Sequence, residues 1–148
     1  MSVSMTFFGT TTWLLDDGET QLLLDAHLTR PSILRVLLGK LQTNAAFVDE
    51  VLQRFPMDRL KAIFVSHTHY DHVLDAAYIA QKTGADIYGT VSARNVGLGG
   101  GIPADRLHLV WVTDGSEDNT NQLLAKYPLL FFLYFEFLLF LVDLQSNQ

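Results

Sequence analysis

The 148-residue sequence contains no cysteine. That excludes a disulfide framework and any thiolate metal site, so a metal held by this chain would need nitrogen and oxygen ligands. Thiol usage leaves the compartment open, with cytoplasm as the default. The chain is also short of positive charge: 10 Lys and Arg against 16 Asp and Glu give a net charge of −6. This balance argues against nucleic acid or an anionic membrane as a partner, while leaving room for a local basic patch. The opening Met1-Ser2-Val3-Ser4-Met5 has no basic stretch leading into an apolar one, so it does not read as a secretory signal. No serine stands in a nucleophile-elbow context, and basic and aromatic residues do not alternate as a single-strand-binding groove requires.

Against these absences stands one dense cluster. Ser66-His67-Thr68-His69-Tyr70-Asp71-His72 places three of the five histidines and a carboxylate within six positions, directly after the apolar run Ala62-Ile63-Phe64-Val65. Imidazole and carboxylate are the ligands a zinc-like ion takes when thiolate is missing. Residues two apart on an extended segment share a side, so His67 and His69 can grip one ion as the strand ends. Asp71 and His72 fall where the chain turns toward a helix, and can face a second ion. Val73 to Lys82 has the apolar spacing and alanine content of that helix, with Gly84 as its stop.

The rest of the first 112 residues reads as alternating elements. Phe7 to Leu15 and Thr20 to Leu24 flank Asp16-Asp17-Gly18-Glu19 as strands around a hairpin turn. Pro31-Ser32 opens a helix ending near Gly39, and Asn44 caps a second one that stops before Pro56. Leu60 to Val65 is the strand delivering the histidines, Ile87-Tyr88 a short strand, Gly97 to Pro103 a loop, and Leu107 to Val112 a last strand. The glycines at 97–101 neither follow a strand nor precede a Lys-Ser/Thr pair, so a flexible connection is the better reading than a phosphate cradle. The pattern predicts an α/β (α+β) fold: a mixed sheet with helices on one outer face.

The cluster His-x-His-x-Asp-His after a buried strand resembles the signature of the metallo-β-lactamase superfamily of metal-dependent hydrolases. Thr6 to Leu15 and Gln21 to Asp25 resemble its opening strands, with Asp25 at the place of the family's first aspartate, and Gly84 to Thr90 resembles the strand after the motif helix. The resemblance covers residues 3 to 112. It implies the first half of a four-layer αββα sandwich, two divalent metal ions (zinc first, manganese or iron as alternatives), and His67, His69, Asp71 and His72 as metal ligands. Asp71 is then also the catalytic candidate, to orient or deprotonate a water that attacks an ester, lactone, amide or phosphoester of a small-molecule substrate. Asp25, Ser66 and Thr68 are candidate supports of the imidazoles, and Tyr70 either lines the pocket or packs.

In the superfamily a complete site also draws two histidines and a bridging aspartate from the second half. The later His108 reads as a strand residue and not a ligand, His27 as structural, supporting or at the pocket rim, and nothing around Asp143 marks it as a bridge. From Thr113 the character changes to a polar stretch and then a Phe/Leu-rich run over 129–142 that carries half of the ten phenylalanines. That run is short for a membrane span and broken by Glu136. Packed core, a non-native tail and membrane contact all stay open for 113–148. Two functional readings follow: a metallo-hydrolase, or a truncated or frame-shifted, catalytically silent piece of one. Self-association as a homo-oligomer would cover an exposed sheet face.

Overall fold

In the computed structural model, residues 2–39 and 41–110 are described. They form one six-stranded sheet in sequential order: β1 (Ser4–Gly9), β2 (Thr12–Asp16), β3 (Gln21–Leu24), β4 (Leu60–Phe64), β5 (Asp86–Gly89) and β6 (Leu107–Leu109). The first two pairings are antiparallel, and β3 to β6 run parallel. Among the described residues the sheet is accompanied by five α-helices, α1 (Ile33–Leu37), α2 (Ala45–Arg54), α3 (Tyr70–Val73), α4 (Ala76–Thr83) and α5 (Val91–Gly99), and one 3-10 turn at Ala104–Arg106.

Register explains the core. Leu14, Leu23, Ile63, Ile87 and Leu107 lie opposite one another across five strands, so they share one face of the sheet. They join Val48 of α2, Ile79 and Ala80 of α4 and Ala93 of α5 in a single buried cluster. Helices α2, α4 and α5 thus cover that one face, as the sequence pattern predicts. Leu15, Leu22, Leu24 and Phe64 alternate to the other face and are buried as well. Strands buried on both sides lose the alternation of a half-exposed sheet, which is why Leu22 to Leu24 and Ala62 to Phe64 read as continuous apolar runs.

Three expectations need correction. The stretch from Phe7 to Leu15 is two strands, not one; the chain reverses at Gly9 (φ +94°) and Thr10 (φ +55°). The motif helix starts earlier, at Tyr70, and breaks after Val73, because the side chain of Asp75 is recruited by a neighbouring loop. The glycines of 97–99 are helical: Thr90 caps α5 through Ala93 N–H, and a Cβ on Gly97 would come within 2.5 Å of Leu107 Cδ2, so glycine lets the helix approach β6. Asn44 and Gly84 do end helices as expected, Asn44 accepting from Phe47 N–H and Gly84 at φ +79°. The last strand is confined to Leu107–Leu109 among the described residues, and the readings made for Asp143 and 113–148 lie outside them.

Candidate metal centre

Parallel pairing of β3 with β4 brings the ends of both strands to one edge, the usual place for ligand sites in such sheets. Asp25 follows β3 in a left-handed conformation (φ +52°) that aspartate tolerates. Its N–H donates to Phe64 O at 2.7 Å, which places its carboxylate beside the chain leaving β4. That carboxylate accepts from Ser66 N–H at 2.8 Å and from the Ser66 hydroxyl at 3.0 Å. It also lies 2.7 Å from His72 Nδ1.

His72 is therefore held from several sides. Its Nδ1 sits 2.9 Å from Thr11 Oγ1, delivered by the β1–β2 reversal, and 3.2 Å from Ser66 Oγ. With Nδ1 engaged by a carboxylate, Nε2 is the nitrogen left for a cation. That Nε2 is 3.7 Å from Asp71 Oδ2. The His67 ring packs 3.7 Å from the His72 ring and 4.7 Å from the His69 ring, centroid to centroid. His72 is buried, while His67 and His69 are exposed and Asp71 half-buried. Burial first, then the neighbouring His72 and His69, hold the His67 pKa below the ordinary imidazole value, so its neutral, ligating form is favoured.

All four residues singled out by the motif thus meet at one strand end. The donor chemistry, three imidazoles and a carboxylate with one tautomer already set, suits a divalent cation of the zinc type. Among the described residues, however, no group of three or more His, Cys, Asp or Glu side chains is arranged to hold one ion.

Other residues anchor the cluster. Asp75, wholly buried, accepts from Leu28 N–H (2.7 Å), Thr29 N–H (2.6 Å) and the Thr29 hydroxyl (2.8 Å). Ala26 N–H donates to His72 O, and Asp75 N–H to Ala26 O. The loop after β3 is thereby stitched to the α3–α4 junction. The sequence pattern includes Asp75 in the helix over 73–82 without a role of its own; an acid amid Val, Leu and Ala on both sides was the signal available. His27 is 5 % exposed, lies edge-on to Tyr70 with 5.9 Å between centroids, and has a buried Nε2 without a hydrogen-bond partner among the described residues. Burial, then the Arg30 charge, lower its pKa. His108 sits in β6, two strands along the sheet from β4, stacked on Tyr88 and 3.1 Å from Asp86 Oδ2.

The sequence profile of the metallo-beta-lactamase superfamily matches residues 5–129. The chain belongs to this superfamily. Among relatives, a UPF0173 metal-dependent hydrolase of Heliobacterium modesticaldum is 31% identical over 125 residues, covering 76% of this chain and 45% of that protein. Another of the same name from a Roseiflexus species is 32% identical over 82 residues, covering 55% and 34%. A metallo hydrolase of the archaeon Ignicoccus hospitalis shares the fold with a TM-score of 0.50 at 20% identity, covering 77% of this chain and 41% of that one. The chain spans less than half the length of these superfamily members.

Proposed function

We propose that this chain carries the first metal-ligand set of a hydrolase of the superfamily, acting on an ester, lactone, amide or phosphoester of a small molecule. The observation that carries the reading is the clamp of Asp25, Ser66 and Thr11 on His72 Nδ1, which aims Nε2 toward Asp71. A surface histidine turn needs no such support, whereas a metal-ligating imidazole is regularly oriented through its other nitrogen.

His67 and His69 would hold one ion, Asp71 and His72 the other. Zinc is the first choice for these donors, and manganese or iron the alternatives. When bound, such ions supply Lewis acidity and bring the ionisation of a water down to about neutral pH. The chain's own groups do the rest. Asp71 accepts a hydrogen bond from the attacking water and fixes its direction, Asp25 keeps His72 in the ligating tautomer, and exposed Tyr70 borders the approach to the histidines.

A second reading is favoured by the lack of any three-ligand group among the described residues. On this reading the described residues keep the motif but not a working site, because two protein ligands per ion bind weakly.

Elemental analysis of purified protein beside a His67→Ala/His69→Ala variant separates the two. Close to two metal equivalents, lost in the variant, together with turnover of a nitrophenyl ester, a lactone or a phosphodiester, supports the hydrolase. Little metal in either protein, and no turnover with added zinc or manganese, supports the silent chain.

A further inference from the structure

Helix α1 departs from every other α-helix among the described residues in burying none of its side chains. Ile33 is 79% exposed, Leu34 66%, Leu37 78% and Leu38 66%. At about 100° per residue these four fall within an arc of roughly 140°, with exposed Arg35 about 60° beyond one edge and half-buried Val36 about 60° beyond the other. The arc presents on the order of 500 Å² of apolar surface, near the upper limit of what monomeric proteins leave open. A five-residue helix without a side-chain N-cap has little stability of its own, so an outer contact is energetically useful.

The segment that carries this arc has charge of one sign in the sequence. Residues 26–48 contain Arg30, Arg35 and Lys40 and no Asp or Glu, in a chain whose net charge is −6. Beside α1 opens a groove of about 690 Å³ whose walls include Arg30, Arg35, Leu38 and Phe47 and no carboxylate. The Arg30 guanidinium is tied to Phe8 O (2.6 Å) and Thr10 Oγ1 (3.0 Å), which fixes its charge in place.

We propose that α1 is a peripheral docking face for an anionic phospholipid surface. The aliphatic arc enters the boundary between headgroups and acyl chains, and Arg30 and Arg35 meet the phosphates. A two-fold pairing of α1 with a second copy fits less well, because the same patch on both partners sets arginines against arginines with no acid to answer them. No helix among the described residues is long and apolar enough to cross a bilayer; the contact is with the surface alone. The expectation of no membrane partner rested on net charge, which averages over a surface that is locally cationic here. The proposal does not depend on the hydrolase reading.

The test uses the full 148-residue chain with vesicles of phosphatidylcholine, with and without phosphatidylglycerol. Because the chain has no cysteine, Leu37→Cys and, as a control on another exposed site, Asp105→Cys each carry one environment-sensitive label. Expected are co-sedimentation with the anionic vesicles only, weakening as salt rises, and a blue shift of the label at position 37 but not at 105. Ile33→Asp/Leu37→Asp, both on the exposed arc, should weaken binding at least tenfold. Four results overturn the proposal: no binding to either vesicle; equal binding to both; binding unchanged in the double variant; or a dimer that the double variant dissolves without any vesicle binding.

Discussion

Asp75 offers the sharpest test of how the site is held. Its carboxylate is wholly buried and accepts two backbone N–H bonds, from Leu28 and Thr29, and one hydroxyl bond from Thr29. Thr29 Oγ1 in turn accepts from the N–H of Asn44, the cap of α2, so one carboxylate secures two segments. Asp75→Ala leaves the two N–H groups unpaired in a buried place, at about 1–3 kcal/mol each, and a loss of about 4 kcal/mol follows. That is a large share of the roughly 5–15 kcal/mol by which domains are stable. With a urea slope of about 2 kcal/mol per molar, the unfolding midpoint should drop by about 2 M. Asp75→Asn keeps an acceptor for both N–H groups and lets the Thr29 hydroxyl reverse. It forfeits only the extra strength of bonds to a carboxylate, about 2 kcal/mol in all. Equilibrium urea unfolding followed by far-ultraviolet circular dichroism measures both. An alanine variant within about 1 kcal/mol of the parent, or an asparagine variant as damaged as the alanine one, would show that water or loop movement replaces the carboxylate.

Three further outcomes are expected. Asp25→Asn should weaken zinc binding by about 10- to 100-fold in chelator competition, since His72 loses the carboxylate that sets its tautomer; unchanged affinity would remove Asp25 from the support of the ligand. His27 has a folded-state pKa below its unfolded value, so its share of stability is complete above about pH 6.5 and is lost as pH falls through the lower folded value. Thermal midpoints of the metal-free protein should therefore decline between pH 7 and 5, and His27→Phe should flatten that decline; a parallel slope in the variant would refute the assignment. Arg59→Ala removes a 2.7 Å ion pair with Asp16, but with the arginine side chain 48% exposed the change in unfolding free energy should stay within about 1 kcal/mol; a larger drop would mean the pair is coupled to the hairpin turn.

What the sequence made legible was local, and what it hid depended on partners distant along the chain. The motif strand, the Asn44 cap and the Gly84 stop each follow from a few adjacent residues, and each stands in the structure. The reversal at Gly9-Thr10 was missed because the threonines that follow it, Thr10 to Thr12, are themselves strand-favouring residues and read as a continuation from Phe8 to Trp13. Yet that reversal is what delivers Thr11 to His72, 61 positions later. Helix α5 was missed because glycine lowers helix propensity, while the gain from packing Gly97 directly against Leu107 appears only once β6 is in place. The break in the motif helix has the same origin: Asp75 leaves the helical pattern to serve N–H groups 46 and 47 residues earlier in the chain. The ligands of the candidate centre are contiguous, but the residues that aim them come from β1–β2, the end of β3 and the α3–α4 junction. A metal site is recognisable from its ligands and is held by its supports, and only the ligands lie close enough together in this chain to be read as a pattern.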